Sequence, residues 1–113
     1  MGRYLQLQGD IMLYKFKAKN AGDVIMLEVT GRRILEIIGK DAGRTGIILV
    51  DQMPAAITAI DSAVASEERR AKEAVEQGVI PATDEPALRQ RAVPFIDLLR
   101  RCHQDGHDIT WGV

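Results

Sequence analysis

DQMPAAITAIDSAVASEERRAKEAVEQ, residues 51–77, carries the pattern around which the rest of the chain is arranged. Asp51 offers a side-chain oxygen to the free N–H groups of a first helical turn, and Pro54 falls where its missing N–H loses no helical partner. Met53, Ile57, Ile60 and Val64 follow at spacings of four, three and four, which puts them on one face. Neither Gly nor Pro interrupts again before Gly78, which has the form of a C′ glycine with Pro81 soon after. The pattern predicts one helix over 51–77, capped by Asp51. Past Val64 the same face continues as Glu67, Ala71 and Ala74, so the large apolar side chains stop. Glu68 with Lys72, Arg69 with Glu73 and Lys72 with Glu76 are i,i+4 pairs, each contributing only about 0.2–0.5 kcal/mol. The first half is thus core-forming, and the second rests on propensity and charge pairing, with no intramolecular role visible.

Length adds to this. At 1.5 Å per residue such a helix is about 40 Å long, whereas a compact chain of this size has a radius of gyration of roughly 13 Å. The distal half is expected to overhang its domain, and the partner expected there is a second copy: a homo-oligomer through the helix 51–77.

Upstream, LYKFKAK (13–19) alternates, with Tyr14, Phe16 and Ala18 on one side and Lys15, Lys17 and Lys19 on the other, a strand with one buried and one wet face. Asn20, Ala21, Gly22 and Asp23 carry turn chemistry, and VIMLEV (24–29) reads as the second strand of a hairpin. Thr30 then caps a short helix, GRRILEII, which Gly39 ends, with Ile34, Leu35 and Ile38 pointing inward. After a loop, GKDAGRTG, residues 47–50 (IILV) are too short for a helix and read as extended. Downstream of Gly78 a connector punctuated by Pro81 and Pro86 leads to a third helix ending near residue 104 or 105. Its seam is Leu88, Ala92, Phe95, Leu99 and Cys102, and Pro94 inside it predicts a kink or a junction of two helices. HDITWGV (107–113) closes the chain as a strand that must join the hairpin, because a lone strand leaves its backbone groups unpaired. The expected fold is α+β: a small antiparallel sheet, made of the N-terminal hairpin and the C-terminal strand, covered on one face by a long helix and a Pro-kinked helix.

Composition bounds the function. One domain suits 113 residues, and 46% hydrophobic with 27% charged residues is ordinary for a soluble globular protein. No apolar run is long enough for a membrane helix, and the start lacks the apolar core of a secretory signal. A single cysteine, Cys102, fits a reducing compartment, so a cytoplasmic location is expected. Charge is uneven: residues 1–45 carry eight Lys/Arg against five Asp/Glu, and 46–113 carry seven against eleven. Neither half is a nucleic-acid footprint of the usual strength. Residues 1–11 look detached from the patterned chain and read as a leader, from an alternative start or added residues, with 12–113 as the single domain.

MLYKFKAKNAGDVIMLEVTGRRILEIIGKD, GIILVDQMPAAITAID, LRQRAVPFIDLLRRC and the closing WGV together resemble the small bacterial family catalogued as domain of unknown function 1840. The resemblance covers 12–113, is weakest over 68–86, and makes Met12 the family's usual start. It implies a short bacterial protein and brings no activity, cofactor or catalytic residue with it.

The residues themselves offer three candidate sites. GKDAGRTG resembles a phosphate loop, but Gly39 and Gly43 are separated by three residues where four are needed, Arg44 stands in place of Lys, and the order is helix to strand instead of strand to helix. Cys102, His103, Asp105, His107 and Asp108 are metal-ligating types close in sequence, yet Gly106 breaks the helix that would align the two imidazoles, and Cys102 belongs to the apolar seam. Lys15, Lys17 and Lys19 make a basic strand face, which without exposed aromatics is no single-strand platform and equally guards the sheet against strand addition. No metal, cofactor or catalytic set is assigned, and a nucleic-acid partner is not indicated. The preferred expectation is a non-enzymatic accessory or binding domain that self-associates. The alternative is an anion- or ligand-binding protein, or an enzyme, using a basic loop site near Arg32, Arg33, Lys40 and Arg44.

Overall fold

The computed structural model describes residues 13–78 and 87–112. The leader reading at 1–11 and the connector with Pro81 and Pro86 lie outside the described residues. Strands β1 (Leu13–Ala18) and β2 (Val24–Leu27) form the expected hairpin, followed by helix α1 (Glu28–Ile37) and strand β3 (Gly46–Ile48). A 3-10 turn (Val50–Gln52) leads into α2 (Met53–Glu76), then α3 (Leu88–Asp105) and β4 (Ile109–Trp111).

The sheet order is β2-β1-β4-β3, antiparallel throughout. The C-terminal strand pairs with β1 as the sequence requires, but the sheet has four strands, not three, because residues 46–48 pair with β4 and form an edge. Register sorts the side chains into two faces. One inner row runs Val24, Phe16, Trp111, Gly46 and another Ala18, Ile109, Ile48. Gly46 is required in its row: a Cβ there would run into the Trp111 indole, which lies across it. Phe16 is the hub of the core, with ring centroids 4.7 Å from Phe95, 5.8 Å from Trp111 and 6.0 Å from Tyr14.

All three helices contribute to this inner face. Met53, Ile60 and Val64 of α2 are buried as their spacing predicts, together with Ala56, while Ile57 is half-buried. The whole α3 seam, Leu88, Ala92, Phe95, Leu99 and Cys102, is buried, widened by Ile96 and Leu98. The two run antiparallel: Arg89 at the start of α3 meets Glu68 far along α2, and Asp108 just past α3 meets Val50 just before α2. α3 is a single helix through Pro94, which lies in its second turn on the exposed side. Gly31 lets α1 settle on β1, since a Cβ there would press into the Tyr14 ring.

Helix ends show where tertiary contacts override local signals. Gly39, Gly78 and Gly106 all stand just past their helices with φ of 76–82°, as expected; after α1 the N–H of Lys40 reaches Leu35 O (2.8 Å) and that of Gly39 reaches Glu36 O (3.1 Å), a Schellman pattern. The N-caps differ from expectation. Thr30 does not begin α1. The helix starts at Glu28, three residues before the expected Gly31, shortening β2, and the Thr30 hydroxyl is buried and accepts a hydrogen bond from Arg91 on α3 (3.1 Å). Asp51 does not cap α2 either. It sits within the 3-10 turn, whose free N–H groups go elsewhere: Leu49 N–H donates to Gln52 Oε1 (2.9 Å) and Val50 N–H to Asp108 Oδ1 (3.1 Å). A carboxylate 58 residues away in sequence supplies what the local one was expected to give.

The distal half of α2 needs a further correction, because it does have intramolecular roles. Glu67 pairs with Arg33 on α1 (2.9 Å), and Glu68 takes a two-pronged hydrogen bond from Arg89 on α3 (2.8 and 2.9 Å). Glu68 is therefore turned toward α3 and away from Lys72, its expected local partner. From Arg69 on, every residue of α2 is exposed except the half-buried Ala74. Among the described residues no helix is long and apolar enough to cross a membrane.

Candidate functional site

The outer end of the sheet, where β1 begins and β4 ends, holds a cleft of about 240 Å³. Three cationic side chains line it from three separate segments: Lys15 of β1, Arg32 of α1 and Arg44 of the loop into β3. Its floor and rim include Tyr14, Gly43, Trp111 and Gly112. Glu28 is the one carboxylate among the lining residues, 3.8 Å from Arg32 one helical turn on, too long for a tight ion pair.

Two aromatic side chains position the loop. The Tyr14 hydroxyl donates to Ala42 O (3.0 Å) and the Trp111 indole N–H donates to Gly43 O (3.1 Å). Each ring lies in the core and spends its polar end on a loop carbonyl, as buried Tyr and Trp usually do. Successive carbonyls tied to the sheet leave little freedom for Arg44, the next residue. Gly112 closes the other side with φ of 76°, its Cα so near Arg44 O that a Cβ would collide with it.

The four basic residues singled out from the sequence do not form one site. Arg32 and Arg44 share this cleft. Arg33, one residue round α1, points to α2 and is held by Glu67. Lys40 lines a different depression, between the end of α1 and the start of α2, together with Asp51, Gln52 and Ala55. Lys15 joins the cleft instead. Its alternation with Tyr14 and Phe16 marked it as outward-facing, but nothing local said that the loop carrying Arg44 would arrive beside it.

The Cys102 to Asp108 cluster is dispersed. Cys102 is buried, and burial raises its thiol pKa, with Asp105 adding to the effect and Arg101 opposing it. Asp108 is engaged by Val50, Gly106 turns the chain, and His103 is exposed. His107 is half-buried, with an Nδ1 atom that has no hydrogen-bond partner. No three His, Cys, Asp or Glu among the described residues come together as a metal site.

Comparison with curated proteins and with solved structures gives no match. A family model does match, over residues 12–111, nearly the whole chain and all of the described sheet and helices. The chain belongs to the family described as Domain of unknown function (DUF1840).

Proposed function

We propose that the protein is a non-enzymatic accessory binding domain that takes a compact anionic group, a phosphate or a carboxylate, in the cleft between Lys15, Arg32 and Arg44. What supports this is the meeting of three cations from three segments against one carboxylate, in a volume below the roughly 300–1,000 Å³ of drug-sized ligand pockets. Arginine suits such a role because its planar fork matches the oxygens of either group. The setting we propose is a bacterial cytoplasm, on the lone thiol and the family resemblance.

Thermal denaturation with inorganic phosphate, pyrophosphate and citrate, against chloride at equal ionic strength, tests the reading. A ligand that binds only the folded chain stabilises it by about 2.7 kcal/mol at a hundred times its Kd. The expected result is a raised midpoint with at least one of these anions, lost in Arg32→Gln and Arg44→Gln and retained in Arg33→Gln. No shift, or a shift that survives both cleft substitutions, rejects it.

Self-association is the second reading, and the exposed turns over residues 69–76 of α2 favour it. A second copy packing along those turns would give them the partner they lack within the described chain. Light scattering coupled to size exclusion at tens of micromolar is the test, and a clean monomer removes this reading.

A further inference from the structure

An antiparallel sheet with one wet face ordinarily shows mainly polar residues on it, whereas large apolar side chains hold most of the outward positions of this one. Its outward positions are Leu13, Lys15 and Lys17 on β1, Ile25 and Leu27 on β2, Thr110 on β4 and Ile47 on β3. Four are large and apolar yet stand open: Leu13 at 55%, Ile25 at 54%, Leu27 at 60% and Ile47 at 41% exposure. Leu13 and Leu27 face each other across the strands, and Ile25 lies beside Lys15 in the next row, so three of the four form one corner patch. The helices pack on the opposite face, around Phe16 and Trp111. Contiguous exposed apolar surface of this kind marks an interaction site.

Charge identifies the occupant. The outward strand positions include two lysines and no Asp or Glu, although the chain as a whole is slightly acidic. Lys19 extends the basic side at the hairpin turn. The face therefore grades from an apolar corner to a basic one. We propose that it docks an acidic amphipathic helix of a partner protein, apolar stripe on Leu13, Ile25 and Leu27 and Asp/Glu flank toward Lys15 and Lys17. Such a helix presents its stripe at i, i+3, i+4 and i+7, wide enough to cover the corner, with charges on the adjoining flank. Nucleic acid suits the face less well, because Tyr14, Phe16 and Trp111 are buried on the other side and offer no stacking platform.

The test uses the full chain and a designed fluorescent helical peptide with Leu at i, i+3, i+4 and i+7 and Glu along one flank, beside the same peptide with Lys for every Glu. By fluorescence anisotropy the Glu peptide is expected to bind at least tenfold tighter than the Lys peptide, and more weakly as salt rises. Lys17→Glu, with Lys15 and Lys19 still in place, narrows that preference at least threefold. Ile25→Thr, which keeps a β-branched side chain in the strand, weakens Glu-peptide binding at least fivefold. Arg33→Gln, on the helical side, leaves it within twofold, and Ile25→Thr keeps any anion-induced rise in the melting midpoint, which separates failure of this proposal from failure of the anion cleft. Four results overturn it: no saturable binding of the Glu peptide; equal binding of the two peptides; tighter binding to phosphatidylglycerol vesicles or single-stranded RNA; or a dimer that Ile25→Thr converts to monomer, which would give the face to a second copy.

Discussion

Gly46 and Trp111 stand opposite each other in the β3–β4 register, and the indole occupies the space where a Cβ on Gly46 would go. Gly46→Ala must displace either the indole or the edge strand. A loss of about 1–3 kcal/mol is expected, read from urea unfolding followed by the fluorescence of the single tryptophan; an unchanged midpoint would mean that the register differs from the one described. Leu99 is fully buried in the α3 seam, so Leu99→Ala is expected to lower stability by about 2–5 kcal/mol in the same assay. Cys102 shows how burial decides chemistry at this scale. Its thiol is almost wholly inaccessible and its pKa is raised by desolvation, so the neutral thiol is the native form. The sign follows: the contribution of Cys102 to stability is complete below the ordinary thiol pKa and is lost as pH rises through the higher folded value. A thiol reagent at neutral pH is expected to label the unfolded protein in urea rapidly and the native protein hardly at all. Its place on the seam was legible from the four-three-four-three spacing, whereas the grouping of Lys15 with Arg32 and Arg44 was not, since those residues approach only when β1, α1 and the loop are assembled.

α2 is held by local signals at some points and by distant groups at others. Its apolar first half and its stop at Gly78 follow from periodicity and a C′ glycine, both local properties. The way it begins and the way its second half is held depend on distant groups, Asp108 in one case and Arg33 and Arg89 in the other. The hydrogen bonds from Arg89 hold the Glu68 carboxyl below its ordinary pKa of 4.5, with slight desolvation opposing them. A depressed carboxyl contributes stability above its unfolded pKa and loses it as pH falls through the folded one. Arg89→Ala is thus expected to shallow the acid limb of the stability curve below about pH 4.5, an effect that salt diminishes because both side chains are solvated. Beyond this pair, helix propensity is the main support. Ala71→Gly, at an exposed position, is expected to cost about 1 kcal/mol if the distal turns belong to the cooperative unit. No change in the unfolding midpoint, with a loss of helical circular dichroism, would show that those turns fray independently of the core.

At the scale of the molecule, the chain makes a two-layer unit with helices on one side of a four-stranded sheet and an apolar, basic face on the other. The cleft that brings Lys15, Arg32 and Arg44 together opens at one end of this sheet, where α1 meets the start of β1. The element order, the hairpin, the two helical seams and the glycine stops follow from local sequence, because each depends on residues within a few positions of one another. Alternation in residues 13–18 sets which side chains leave the strand together, and the spacings in α2 and α3 set which faces are apolar. The rest came from the assembly of distant segments. That assembly made residues 46–48 an edge strand, gave the Thr30 hydroxyl to Arg91 and the Val50 N–H to Asp108, and divided the basic quartet between a cleft, an ion pair and a second depression. The physical reason is the same in each case. Periodicity fixes which face of an element seeks burial, but the groups that satisfy a cap, a charge or a strand edge come from wherever the folded chain brings a partner within hydrogen-bonding distance.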